Sequence, residues 1–338
     1  MDPSAALDRI VYLLDRQRAP AQKAKAFARA RDLVQEMDPD ELRRLHAEGR
    51  LQELPGIGES TGRAIAEALE GEVPAYLAKL EGTSDIPIGE GAAIRAALKG
   101  DCHTHSLWSD GGAPITTMAQ TARELGHEYI VMTDHSARLT IAHGLSAERL
   151  REQLDEIKRL NDELAPFRIL TGMEVDIFED GTLDMSDELL AELDVVVASV
   201  HSKLRMERSD MTRRMVLAMA NPNTDILGHC TGRVVVGRGR PQSQFDAEVV
   251  FAACARFDKA VEINCRPERQ DPPEDLLQLA LDWGCKVSID TDAHAPGQLE
   301  WQAYGCDKAA KMGIEPPEIV NTMVADDLIA WAASHPTE

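Results

Sequence analysis

Tyr129-Ile130-Val131-Met132-Thr133-Asp134-His135 is a short apolar run that breaks off into polar, ionisable residues. Such a run is too short for a buried helix, and its aromatic and β-branched side chains favour a strand. The pattern recurs in Phe167–Leu170, Val195–Ser199, Asp225–Leu227, Ala260–Ile263 and Lys286–Ile289. Amphipathic stretches such as Ser146–Glu163 and Ala247–Ala255 lie between these runs. Strands that alternate with helices imply a parallel sheet covered on both faces. Over a segment this long, closure into an α/β barrel is the expected outcome. The sequence shows no internal repeat and no low-complexity tract.

Upstream the pattern is different. Ala5–Leu14, Ala21–Gln35 and Pro39–Ala47 carry apolar residues at helical spacing. Leu54-Pro55-Gly56-Ile57-Gly58 follows as a turn, leading into the helical stretch Ser60–Leu69, and Gly82–Gly91 is rich in Gly, Pro and small residues. The expected organisation is a small all-α domain over 1–82, a linker over 83–95 and a barrel over 96–338.

The 338 residues are 43% apolar and 28% charged, ordinary values for a globular protein. No apolar run is long enough to span a membrane, and Met1-Asp2-Pro3-Ser4 does not open a secretory signal. The six cysteines form no CxxC pair and read as reduced, buried thiols, so a cytoplasmic location is expected. A net charge of −22 disfavours a protein that coats duplex nucleic acid through a broad basic surface. Any nucleic-acid contact should therefore be local and assisted by metal.

The strand ends hold the chemistry. Asp101-Cys102-His103-Thr104-His105 places imidazoles at i and i+2, on the same side of an extended segment. Asp110 lies in the turn Ser109-Asp110-Gly111-Gly112, and His135 follows Asp134. Glu174 follows Ile169–Met173, His201 follows Val195–Val200, and His229 follows Ile226-Leu227-Gly228. Asp292 and His294 come after Val287-Ser288-Ile289. Any of these residues alone reads as a cap or a hydrogen-bonded rim group. Together they place six of the ten histidines, with carboxylates among them, at the barrel face where active sites form. Imidazole and carboxylate together suit Zn²⁺, Mn²⁺ or Fe²⁺, and the donors outnumber what one ion can use.

These segments resemble the PHP (polymerase and histidinol phosphatase) domain. The likeness rests on Asp101–Gly111, Thr133-Asp134-His135-Ser136, Gly172-Met173-Glu174-Val175-Asp176, Ala198-Ser199-Val200-His201-Ser202, Leu227-Gly228-His229 and Asp290–His294. Asp225–Arg233 and Val261-Glu262-Ile263-Asn264 bring it nearer the PHP domain of bacterial family X DNA polymerases. The resemblance implies a distorted (β/α)₇ TIM-like barrel with three divalent metal ions. His103, His105, Glu174 and Asp292 would hold one ion. Glu174 would bridge to a second, held with His201 and His229. Asp110, His135 and His294 would hold the third. Asp134 would orient a ligand. The ions would acidify a water and neutralise phosphoryl charge, so no Ser or Cys nucleophile is needed, and Cys102 and Cys230 read as buried thiols. Lys203, Arg233, Arg238, Arg240 and Arg269, in loops after strands, are candidates for holding phosphate.

Gly56, Ile57 and Gly58 resemble a helix-hairpin-helix turn, in which backbone N–H groups approach a DNA phosphate. The N-terminal region as a whole resembles the small helical domain of family X polymerases. Glu59 stands where a basic residue is common in the bacterial relatives, which weakens phosphate affinity. Ala64 stands near the place of a Schiff-base lysine, so no lyase activity is expected. No room remains for a polymerase palm. The expected activity is hydrolysis of DNA phosphodiester or 3′-end phosphate bonds. The alternatives are a small-molecule phosphatase, such as one for histidinol phosphate, and a DNA-binding scaffold with a vestigial metal site.

Overall fold

The computed structural model describes residues 1–83, 86 and 88–336. Two compact units emerge, Met1–Pro87 with Pro296–Gln298, and Ile88–Ala295 with Leu299–Glu338.

The first unit is helical: α1 Pro3–Arg16, α2 Ala21–Glu36, α3 Pro39–Ala47, α4 Glu59–Leu69 and α5 Ala75–Glu81. Asp2 caps α1 by accepting from the Ala5 N–H at 2.9 Å. The buried stripe Leu7, Ile10, Leu13 and Leu14 of α1 shares one core with Phe27, Ala30 and Val34 of α2 and with Ala64, Ile65 and Ala68 of α4. In the turn before α4, Gly56 takes φ +80°, a left-handed value that favours glycine. Gly56 and Gly58 are exposed, while Ile57 is buried in the core. The Gly58 N–H donates to Thr61 Oγ1 at 2.9 Å.

The second unit alternates helix and strand: α6 Ala92–Ala97, β1 Gly100–Thr104, α7 Ile115–Glu124, β2 Tyr129–Met132, α8 Ala147–Leu164, β3 Arg168–Asp176, α9 Asp187–Leu190, β4 Val195–Ser199, α10 Arg208–Met219, β5 Ile226–Leu227, α11 Ala247–Arg256, β6 Ala260–Asn264, α12 Glu274–Asp282, β7 Val287–Asp290, α13 Gln302–Lys311 and α14 Ala325–Ala332. All seven strands are parallel and neighbour one another in chain order. A parallel bridge between Thr104 and Ala293, with the His105 N–H donating to Ala293 O at 2.8 Å, joins the last edge to the first. The result is a TIM-like barrel, as the resemblance implies.

Part of the expected linker belongs to this unit. The Gly89 and Gly91 N–H groups donate to Asp307 on α13, and α6 begins at Ala92. Ser84, Asp85 and Pro87 of that linker lie outside the described residues.

One strand departs from the sequence pattern. Glu174 lies inside β3 rather than beyond it. The first part of β3 pairs with β2 through Arg168–Thr171, and the second pairs with β4 through Gly172–Asp176. Gly172 sits where the pairing changes. A Cβ there would lie 2.7 Å from both Val131 Cγ1 and Val195 O, so only glycine lets the strands approach. Among the described residues no helix is long and apolar enough to cross a membrane. All six cysteines are free and buried.

Gly172→Ala must displace a backbone carbonyl, and the expected loss is about 1–3 kcal/mol. Lys158→Ala, at an exposed position on α8, should stay within about 0.5 kcal/mol. Urea unfolding midpoints of the two variants test this, and equal midpoints would show that the crossing point tolerates a methyl group.

Candidate metal centre

The C-terminal ends of the strands bring the expected side chains together around Glu174, which is 1% exposed. Its Oε2 lies 2.9 Å from His135 Nδ1, 3.2 Å from His103 Nε2 and 3.6 Å from His105 Nε2. Its Oε1 lies 2.9 Å from His229 Nε2 and 3.1 Å from His201 Nε2. Asp110 Oδ1 is 3.3 Å from His294 Nε2 and 3.6 Å from His135 Nε2. Asp292 Oδ1 is 3.4 Å from His105 Nε2 and 3.5 Å from His294 Nδ1. All nine expected donors therefore form one continuous cluster. His229 and Asp292 hold positive φ angles of 21° and 52°, strain of the kind found at functional sites.

Neighbouring imidazole centroids are 4.1 Å apart for His105–His294 and 4.5 Å apart for His105–His135. Two protonated rings at these spacings would repel one another, which favours a neutral His105. Against the effect of burial, Glu174 and Glu262 hold His103 well above the usual imidazole range, and Glu174 and Asp176 raise His201 to about 9. Burial, followed by the charges of His294 and His135, holds His105 well below the usual imidazole range. Burial and the Arg269 charge bring His229 down to about 4. Burial opposes ionisation of Glu174, yet the imidazoles of His103, His201 and His135 hold it well below the usual carboxylate range. Although His135 Nδ1 and His103 Nε2 approach Glu174 Oε2, these three atoms, both nitrogens of His105 and His229 Nδ1 are buried without a well-aligned hydrogen bond among the described residues. Unpartnered buried polar atoms cost about 1–3 kcal/mol each, so their gathering in one place needs a compensating ligand. Three overlapping groups have donor atoms within 4.8 Å of one another: His105, Asp110, His135 and His294; His103, His105 and Glu174; His135, Glu174 and His201. The residues fit divalent cations.

A further layer aims the rings. Glu262, fully buried on β6, places Oε1 2.6 Å from His103 Nδ1, and its Oε2 accepts the backbone N–H of strained His229. Asp176 Oδ1 lies 3.2 Å from His201 Nδ1 and accepts that residue's N–H at 3.1 Å. In both cases a carboxylate on Nδ1 leaves Nε2 facing Glu174. Sequence reasoning missed both groups. The available signal was a charged residue on the same strand face as a polar neighbour, Glu262 with Asn264 and Asp176 with Glu174.

The other expected site residues are placed as follows. Asp134 touches no imidazole; it accepts from the N–H and hydroxyl groups of Ser106 and Ser109 and from the Gln153 amide, and so fixes the loop that carries Asp110. Arg269 Nε lies 3.4 Å from Asp292 Oδ2, and Arg266, not singled out from sequence, lies 3.4 Å from Asp292 Oδ1. Arg233 donates to the carbonyls of Arg269 and Gln270, and Arg240 donates to that of Gly232. Lys203 and Arg238 are exposed. Cys102 and Cys230 are buried, and burial pushes both thiols well above their usual range, which removes them as nucleophiles.

Comparison with known proteins agrees with this geometry. The PHP domain family matches residues 101–264. A probable phosphatase of Thermoanaerobacter sp. is 31% identical over 207 residues, 57% of this chain and 78% of the relative. The chain belongs to the PHP domain family. The DNA polymerase/3′-5′ exonuclease PolX of Bacillus subtilis is 39% identical over 234 residues, 69% of this chain but only 41% of PolX. Among solved structures, the Lactococcus lactis histidinol phosphate phosphatase complexed with zinc, L-histidinol and phosphate gives a TM-score of 0.47 at 22% identity, covering 64% of this chain and 95% of that one. As a PHP protein with a donor cluster suited to divalent cations, the chain is a metal-dependent phosphate ester hydrolase.

If Glu262 fixes His103 as the geometry indicates, Glu262→Gln should weaken metal retention roughly 10–100-fold. A Zn²⁺ titration against a chromophoric chelator measures this, and an unchanged affinity would remove the orienting role.

Proposed function

We propose that this PHP protein hydrolyses phosphodiester or 3′-end phosphate bonds of DNA, acting as a 3′–5′ exonuclease or end-processing enzyme in DNA repair, with three divalent ions at the Glu174 cluster. The observation that carries the DNA reading is the 39% identity to PolX over 234 residues. His103, His105, Glu174 and Asp292 would hold one ion, Glu174 with His201 and His229 a second, and Asp110, His135 and His294 a third. Zn²⁺, Mn²⁺ and Fe²⁺ suit such donors. When bound, these ions supply Lewis acidity toward the phosphoryl oxygens and acidify water.

The chain's own residues prepare that chemistry. Glu174, ionised and shared by five imidazoles, fixes the spacing of the donors. Asp134 holds the 106–109 turn, and thereby Asp110, at the mouth. Lys203, Arg233, Arg238, Arg240 and Arg269, on the loops after β4, β5 and β6, would be the candidates to receive non-bridging phosphate oxygens. In the N-terminal unit, the exposed backbone at Gly56 and Gly58 with buried Ile57 suits a helix-hairpin-helix contact to a DNA phosphate, weakened by Glu59.

A second reading, a small-molecule phosphomonoesterase such as histidinol-phosphate phosphatase, draws on the net charge of −22 and on the 31% identity to a probable phosphatase.

A Mn²⁺-supplemented digestion of a 5′-labelled oligonucleotide, beside histidinol phosphate and p-nitrophenyl phosphate, separates the two. The expected outcome is stepwise shortening of the oligonucleotide, reduced roughly 100-fold or more in Glu174→Ala. His201→Ala and Asp292→Ala should each lose activity on the same scale. Phosphate release from the small esters alone would transfer the assignment to the second reading.

A further inference from the structure

A cleft of about 430 Å³ opens beside the metal rim, between the loop after β6 and helix α13. It shares a wall with the centre. Asn264 lines it and donates to both Asp292 Oδ2, at 3.1 Å, and Glu262 Oε2, at 3.2 Å. Arg233, another lining residue, lies four positions after His229 on the same loop.

The opposite wall is one face of α13. Tyr304, Lys308 and Lys311 recur at i, i+4 and i+7 and so share a helix face. Gly305 permits this placement, because a Cβ there would lie 2.4 Å from Cys265 Sγ and 2.7 Å from Ile289 Cγ2. The helix therefore lies directly on β6 and β7, and the residue before that glycine, Tyr304, is 41% exposed at the cleft.

The charge of the cleft runs against that of the chain. Arg233, Lys308 and Lys311 face two acids, Asp307 and Glu274. Asp307 already accepts the N–H groups of Gly89 and Gly91, at 2.9 and 2.8 Å, so its charge is largely engaged. Lys308 is held by the carbonyls of Gln270 and Pro272, which use two of its three donors. Lys308 is depressed below the usual lysine range, first by burial and then by the nearby Arg233 charge. Arg233 and Lys308 both donate to the Gln270 carbonyl, which brings two cations together on a chain of net charge −22, and an anion beside them would relieve their repulsion. An exposed tyrosine beside phosphate-binding cations is the pairing that receives a nucleotide of single-stranded nucleic acid, by base stacking and phosphate contact.

We propose that this cleft is a nucleotide subsite, in which Tyr304 stacks on the base and Arg233, Lys308 and Lys311 hold the phosphate of a residue flanking the scissile bond. The inference rests on the nucleic-acid reading of the metal centre and adds that the substrate is recognised beyond the reacting phosphate.

Binding tests it without turnover. Fluorescence anisotropy would follow a fluorescein-labelled, phosphorothioate-linked trithymidylate on the metal-loaded full chain. Tyr304→Ala and Lys311→Glu, both at exposed positions, should each weaken binding about tenfold. Lys311→Glu should also flatten the plot of log Kd against log salt by about 0.7 or more, whereas Tyr304→Ala should leave its slope unchanged. Lys158→Glu, on exposed α8 surface, serves as the charge control. Unchanged affinity in both cleft variants overturns the subsite. A chain that cuts oligonucleotides yet shows that result keeps the exonuclease reading and loses the cleft. A chain that binds the trinucleotide through Tyr304 and Lys311 yet cuts no oligonucleotide keeps the cleft and loses that reading.

Discussion

A carboxylate at 1% exposure in the middle of a barrel strand is the constraint to which the rest of the second unit answers. An ionised Glu174 with no compensation would cost several kcal/mol of desolvation. Four strand ends, of which β1 supplies two rings, deliver five imidazoles to one or other of its oxygens, at 2.9 to 3.6 Å. Only a closed parallel barrel points so many strand C-termini at one spot. Closure and cluster therefore depend on each other: β1 must meet β7 to bring His105 next to Asp292. The imidazoles cannot finish the task alone, because several of their nitrogens remain without a partner. A cation offsets the carboxylates and accepts the lone pairs in the same act, which is the physical reason a site of this composition belongs with divalent metals.

The layer beneath the rim is polar as well. Asp101 accepts from the N–H groups of His103 and Thr291 and from the Thr291 hydroxyl. Asp290 accepts from the Cys102 N–H and the Asn321 amide. Burial raises the pKa of both carboxyls, reinforced at Asp101 by the Asp290 charge and at Asp290 by the Glu262 charge. These groups sit in the two strands, β1 and β7, whose meeting closes the barrel. The seam is thus fixed by directional bonds, where apolar packing alone would leave its register less well defined. Because His103 and Asp292 lie two residues beyond Asp101 and Asp290, a fixed register at the seam becomes a fixed distance at the rim.

How much of this could be read in the sequence follows from which signals are local. Tyr129–Met132 and Val195–Ser199 are strands with the bounds their apolar runs suggest. Ser146 caps α8, its Oγ accepting the Arg149 N–H at 3.4 Å. The polar residues at strand ends were legible for the same reason, since an apolar run that ends in His or Asp shows both the strand and its rim. Glu174 was placed beyond its strand because the switch of β3 from one partner to the other is a tertiary event that a run of apolar residues does not record. Glu262 and Asp176 were missed because their role lies in contacts with His103 and His201, on other strands. Arg269 and Arg233 look like free loop cations in sequence, and only the fold shows one paired with Asp292 and the other spanning two carbonyls.

Net charge deserves the same distinction between local and global. A value of −22 sets the far field, which repels polyanions. Salt screens that field over about 8 Å at physiological ionic strength, so at contact distance the local arrangement governs. At the rim the carboxylates are what divalent ions neutralise, and in the cleft that Asn264 joins to the rim Arg233, Lys308 and Lys311 present the opposite sign. An acidic chain with a local cluster of cations repels a polyanion along its length and can still hold a single anionic group at that cluster.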